Sequence, residues 1–244
     1  MKVSIIMPAY NAAGTIRASI DSVRAQTHTD WELLVVDDAS NDGTADLVRG
    51  YQDERIVLLP SAYNQGVAQS RNRALQQASG DAIAFLDADD LWFPDKLAFQ
   101  LRCMQDEGVN VVYAPYERRS EDGALLGVVL PPAKVRYRDM LRSNWIGNLT
   151  GMYRVSALGK VGFQPIHHED YLMWLEAVRA AGIAHRSGDQ VLAVYTVRAQ
   201  SVSANKLRTV RWQWAIYRRA LKLSWVKSVG LMGFYVFHAL AKRR

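Results

Sequence analysis

A single cysteine among 244 residues excludes a disulfide framework within the chain. Cys103 also lacks a second Cys or a His at metal-ligand spacing, so it reads as a small buried hydrophobe, and the expected setting is reducing and cytoplasmic. Long apolar runs are missing as well. Met1 to Met7 is stopped by Pro8 and is too short for a signal-peptide core, so it reads as a first strand. The longest run, Ser228 to Ala241, holds fourteen positions, against the roughly 20 that cross a bilayer. No Gly-x-Gly-x-x-Gly follows a strand pattern and there is no Walker-type lysine loop, which counts against a dinucleotide oxidoreductase. Acidic residues stop at Asp189. Eleven Lys and Arg follow it, from Arg198 to Arg244, so the chain without them is formally −5 and the net +6 comes entirely from this C-terminal stretch. Basicity is therefore no argument for nucleic acid as a partner of the main domain, and no nucleic-acid reader motif is present.

What is present is concentrated in two carboxylate clusters, Asp37-Asp38 and Asp87-Ala88-Asp89-Asp90, each closing an apolar run. Runs such as Glu32 to Val36 and Ala82 to Leu86, flanked by turn formers, predict buried strands of a parallel sheet. The acids then lie at strand C-terminal ends, the edge where open α/β sheets bind ligands. Like charges gathered there repel unless a hard cation or polar ligand compensates them, and a divalent metal holding a phosphorylated ligand is the natural explanation. An N-terminal helix cap accounts for one acid ahead of Leu91, but not for three. If the strand terminus is extended, alternate acids point to opposite sides, one toward a metal and a neighbour toward a sugar hydroxyl; which does which is not legible.

Strand signals (Val3 to Met7, Glu32 to Val36, Ile56 to Leu59, Ala82 to Leu86, Val109 to Tyr113) alternate with helix signals (Ala13 to Gln26, Thr44 to Tyr51, Val67 to Ala78, Lys96 to Glu107), which predicts a doubly wound α/β fold. From Pro115 the rhythm changes to a hairpin over Tyr116 to Val129, a strand over Asn148 to Tyr153, a helix over Glu169 to Ala181 and a strand over Gln190 to Val197. Pro8-Ala9-Tyr10-Asn11 leaves the first strand and Asp37-Asp38 the second, so one can flank a planar base while the other bonds its edge. The same residues are also ordinary turn formers. Glu169 and Asp170 fall in the first turn of their helix, where acids suit the dipole, and a partly buried acid there is a candidate general base. The adjacent His167 and His168 point apart on any regular element and have no matching third ligand.

Taken in order, Val3 to Asn11, Ser22 to Thr27, Val35 to Ser40 with Asp42-Gly43-Thr44, Asn64 to Ala68 with Arg71-Asn72, Gly80-Asp81, Asp87 to Asp90 and His168 to Tyr171 resemble family 2 glycosyltransferases of the GT-A fold, over about residues 3 to 200. The likeness is to bacterial enzymes of surface polysaccharides, including teichuronic acid and O-antigen types. It implies a Rossmann-like, mostly parallel central sheet flanked by helices, and inverting transfer from a nucleotide-diphosphate sugar, usually a uridine one, to a hydroxyl of a glycan or lipid-linked acceptor. By position, it implies that Pro8, Ala9, Tyr10, Asn11, Asp38, Arg71, Asp87, Ala88 and Asp89 hold the nucleotide sugar. Asp89 and Asp90 would hold Mn2+ or Mg2+, and Asp170, supported by Glu169, would act as base. A non-catalytic nucleotide-sugar-binding assembly module is the alternative.

The expected organisation is a catalytic domain over 1–205, with a nucleotide-binding half to about 114 and an acceptor-binding half beyond it, followed by a basic amphipathic tail over 206–244. In the tail Leu207, Val210, Trp214, Tyr217 and Leu221 keep helical spacing while Arg211, Arg218 and Lys222 share another face. This predicts a helical region lying in the cytosolic face of a membrane, with its cations on anionic lipids. The alternative is a helix packed on the catalytic domain or, in a homo-oligomer, on another subunit.

Overall fold

The computed structural model describes residues 1–198 and 206–241. Its main sheet has eight strands in the order β3-β2-β1-β4-β10-β6-β11-β9. The first four are β1 (Val3–Ala9), β2 (Trp31–Asp37), β3 (Ile56–Pro60) and β4 (Ala82–Phe85), all parallel. β6 (Val111–Tyr113) and β11 (Ala184–Arg186) continue that direction, while β10 (Met152–Arg154) and β9 (Lys134–Val135) run against it. The sheet is mostly parallel, as the sequence predicts.

The unbroken apolar strands reflect burial on both faces. Ile6, Leu34, Ile83 and Phe85 face one core with helices α3 (Val67–Gln77) and α7 (Glu169–Ala181). Their neighbours Ile5, Leu33, Val35 and Ala84 face the other with α1 (Ile16–Arg24) and α4 (Lys96–Asp106). Two short helices, α2 (Thr44–Arg49) and α5 (Tyr137–Met140), complete this part together with α6 (Val155–Leu158).

A second sheet, β5-β12-β7-β8, joins β5 (Leu91–Trp92) and β12 (Ala193–Val197) to the predicted hairpin, β7 (Tyr116–Ser120) and β8 (Leu125–Val129). Several expectations need correcting. α1 is shorter than Ala13 to Gln26, and the strand expected over Asn148 to Tyr153 is a 3-10 turn, Asn148–Thr150, followed by β10. β5, β9 and β11 were not foreseen; two- and three-residue strands carry too little periodicity to read. Cys103 is half-buried at the edge of α4, not fully enclosed.

The N-terminal edge of the sheet is pinned by Glu32. Its carboxylate accepts from Lys2 Nζ at 2.8 Å, Ser4 Oγ at 2.5 Å and the Ser79 amide at 2.7 Å. Burial raises its pKa, but these hydrogen bonds outweigh it and bring the value from 4.5 to about 2. A depressed carboxylate stabilises the fold above its unfolded pKa and loses that contribution as pH falls through the folded one. Glu32→Gln is therefore expected to cost on the order of 1–3 kcal/mol at neutral pH. In urea titrations at several pH values, the gap from the parent should close between about pH 4.5 and 2; a constant gap would contradict the assignment.

The C-terminal stretch docks in its first half. α8 (Lys206–Ala215) runs into a π turn over Ile216–Ala220. Ile216 and Tyr217 join the core around α3 and α7, and Tyr217 Oη donates to the Leu141 carbonyl at 2.5 Å. The packed-helix alternative thus describes this part. α9 (Trp225–Ala241) buries Ser228 and half-buries Leu231 and Met232, but exposes Trp225, Val226, Val229, Phe234 and Val236. Among the described residues no helix is long and apolar enough to cross a membrane. Lys242, Arg243 and Arg244, and the side chains of Lys206, Leu207 and Arg208, lie outside what is described.

Candidate active site

β1 has β2 on one side and β4 on the other, so the strand order reverses there and a crevice opens beyond the strand ends. Two clefts meet at this point. The first, of about 540 Å³, is lined by Pro8, Ala9, Tyr10, Asp38, Arg71, Asp87, Ala88 and Asp89, with Asn64, Gly66 and Arg198 among the others. The second, of about 530 Å³, is lined by Asp90, Glu169 and Asp170 together with Tyr116, Asn144, Asn148, His168, Tyr195 and Trp212. Val67, Arg71 and Asp87 belong to both. Of the residues that the resemblance assigns to the site, Asn11 alone lines neither cleft, and Asp37 of the first acidic pair also lies outside both. Asn11 Oδ1 accepts from the Asn41 amide at 3.0 Å and its own amide donates to Ser40 Oγ at 2.9 Å, which ties the β1 exit to the β2 exit.

Asp38 is buried, and its two oxygens accept from the amides of Gln65 at 2.9 Å and Gly66 at 2.8 Å. It holds the loop before α3 against the first cleft. Strain gathers at the same places. Of the four non-glycine residues with positive φ among the described residues, Asn11 (49°), Ala39 (62°) and His168 (62°) flank residues that line the clefts, and such strain clusters at functional sites. His168 caps α7 in this conformation and sets the entry of Glu169 and Asp170.

Arg71 joins the two clefts. It is 3% exposed, and its guanidinium donates to Asp87 Oδ1 at 2.7 Å and Glu169 Oε1 at 2.8 Å. Burial opposes its charge, but Asp87 and Glu169 more than compensate and keep it protonated. Glu169, in turn, is raised by burial, with Arg71 opposing. The sequence resemblance places Arg71 on the nucleotide; the fold places its fork on two acids, with Nε buried and without a hydrogen-bond partner.

The acids after β4 do not form the extended terminus considered above. The Asp90 amide donates to the Asp87 carbonyl at 3.1 Å, closing a turn. Asp87 and Asp89 therefore face the first cleft, while Asp90 faces the second and accepts from the Thr196 amide at 2.9 Å. Burial raises the pKa of Asp89, and of Asp90 further, with neighbouring carboxylates adding to both. The donor set is hard oxygen, which suits Mg2+ or Mn2+ completing its shell with phosphate and water oxygens. No cage of three or more protein ligands exists among the described residues.

Beneath the second cleft, Trp174 donates from Nε1 to Asn148 Oδ1 at 3.2 Å. This approach needs Gly151, where a Cβ would lie 2.0 Å from the indole.

The model of glycosyl transferase family 2 matches residues 4–163. The chain belongs to glycosyltransferase family 2. This glycosyltransferase is 39% identical over 214 residues, 88% of its own length and 84% of the relative's, to the Escherichia coli UDP-Glc:alpha-D-GlcNAc-diphosphoundecaprenol beta-1,3-glucosyltransferase WfgD. It is 34% identical to the putative teichuronic acid biosynthesis glycosyltransferase TuaG of Bacillus subtilis, covering 99% of this chain and 97% of that one. Its fold matches Staphylococcus aureus TarS 1-349, solved in complex with UDP-GlcNAc, at a TM-score of 0.72 and 22% identity over 97% of this chain and 72% of that one. The architecture is GT-A.

Several cleft residues, Arg198 and Trp212 among them, carry no motif in the sequence. Arg198, whose Nε lies 3.1 Å from Asp89 Oδ2, was counted only among the C-terminal cations. Its signal was being the first of them, directly after a strand pattern. Trp212 lies off the apolar stripe of α8, and a large aromatic off such a stripe was the available hint; its ring stacks on His167 with centroids 4.3 Å apart.

Proposed function

We propose that this glycosyltransferase moves a sugar from a uridine-diphosphate sugar, with inversion, to a hydroxyl of a lipid-linked glycan. The observation that carries the reading is the junction of the two clefts at Arg71, with Asp87 and Asp89 on one side and Asp170 on the other. Pro8, Ala9 and Tyr10 border the base, Asp38 fixes the loop beside it, and Asp87 with Ala88 follows the ribose and diphosphate. Asp170 accepts the proton of the acceptor hydroxyl as its oxygen bonds to the anomeric carbon, while the bond from that carbon to the diphosphate breaks on the opposite side. Glu169, clamped by Arg71, keeps the start of α7 in place. Asp89 and Asp90 are the residues that would hold Mg2+ or Mn2+, whose chemistry when bound is charge neutralisation on the departing diphosphate.

Binding tests this. In a thermal-shift panel of nucleotide sugars, uridine donors are expected to raise the melting temperature, and added Mn2+ to raise it further, because ligands selective for the native state stabilise it. Asp89→Asn should remove the manganese increment. Equal manganese responses in parent and variant would overturn the metal assignment.

Membrane association is part of the same proposal and rests on the exposed apolar residues of α9 beside Lys227. Deleting residues 224–244 is expected to abolish cosedimentation with anionic liposomes while donor binding persists. Truncation at 206 is unsuitable because it removes Ile216 and Tyr217 from the core. Unchanged cosedimentation would refute this part.

A further inference from the structure

A third hollow, of about 320 Å³, continues from the second cleft between the segment around Ile166 and the docked face of α8 and its π turn. The His167–Trp212 stack lines both and stands where they meet. Beyond it the hollow is walled by Ile166, Ala215, Ile216 and Ala220, with the exposed Arg219 on its rim and Gln164 beside them, whose amide nitrogen donates to Glu176 Oε1 at 3.2 Å. Trp212 and Ala215 of α8 and Ile216, Arg219 and Ala220 of the π turn all line it, so the hollow runs along α8 into that turn. No acid lines the hollow, and Arg219 has no ion-pair partner among the described residues. It also lies in the π turn against which α9 packs, and such turns recur at functional sites.

A site for a further sugar would present several hydrogen-bonding groups to its hydroxyls. Here the Gln164 amide is engaged by Glu176 and His167 is stacked on Trp212, so beyond the stack a single cation faces an apolar wall, which complements an anion carrying a hydrocarbon chain. We infer that it seats the lipid-diphosphate end of the acceptor, Arg219 on a phosphate and the first carbons of the chain against Ile166, Ala215 and Ala220. The inference rests on the lipid-linked acceptor proposed above. The chain would leave the hollow beside α9, whose exposed face is apolar.

Undecyl diphosphate, which carries no sugar, probes the hollow directly by calorimetry on the intact protein. The parent is expected to bind it at least about tenfold more tightly than methyl diphosphate. Arg219→Gln should weaken both about tenfold, the scale of one charge-assisted contact; Ala220→Trp should weaken only the undecyl compound. UDP binding reports that each variant is folded, and Arg219 is exposed, so its replacement leaves the core intact. Equal affinity for the two diphosphates, or affinities unmoved by both variants, would overturn the inference. The acceptor reading has its own arm: a lipid-free glycan accepting sugar as well as a lipid-linked one refutes that reading, whatever undecyl diphosphate does.

Discussion

Asp170→Asn is expected to lower transfer by about 10²- to 10⁴-fold, the usual contribution of a positioned base, while leaving donor affinity nearly unchanged. The amide keeps the shape of the carboxylate and removes only its capacity to take a proton. Asp170 lines the second cleft and not the first, which the proposal gives to the donor, so the two readouts separate. Glu169→Gln should be milder in turnover, because its carboxylate is engaged by Arg71 at 2.8 Å. Steady-state kinetics with titration of the donor checks both. If donor affinity collapses while turnover per bound donor survives, Asp170 is not the base; if Glu169→Gln is the more severe, the role belongs to Glu169.

Arg71→Met should be the most damaging change to stability. It leaves Asp87 and Glu169, with side chains 34% and 16% exposed, facing each other without their cation. Removing one partner of a buried ion pair costs about 3–5 kcal/mol, and the partial exposure of Asp87 brings the expectation to about 2–4 kcal/mol. Arg71→Lys should recover only part of it, since an ammonium cannot donate to two separate carboxylates in the geometry of a planar fork. Urea denaturation midpoints check this. A midpoint for Arg71→Met equal to the parent's would show that the bridge contributes nothing.

How far the residues alone reach is clear from particular cases. Leu33 to Val36 and Ala82 to Phe85 are apolar at every position, so their burial on both faces and the acids at their ends were legible. The placing of β10 between β4 and β6 was not, because a strand signal before Tyr153 does not tell which strands it pairs with or in which direction. Asp38 is legible as a residue of the first cleft, which it lines; that its oxygens also hold Gln65 and Gly66 requires knowing that a loop 27 residues later folds back over it. Arg71 was legible as a functional cation, but its partners lie 16 and 98 residues away. Of the apolar stripe expected over Leu207 to Leu221, Tyr217 and Leu221 pack on the core past the end of α8, and the Leu207 side chain lies outside what is described; a stripe cannot tell protein from lipid, and Tyr217 bonds the Leu141 carbonyl.

Sugar transfer with inversion is expected where the two clefts meet. The direct measurement is proton NMR of the product formed from a uridine-diphosphate α-linked sugar and a sugar-diphosphate lipid acceptor, with Mn2+ present. One new glycosidic bond of β configuration is expected for each UDP released. An α-linked product, or UDP release that yields only free sugar in the presence of saturating acceptor, would contradict this.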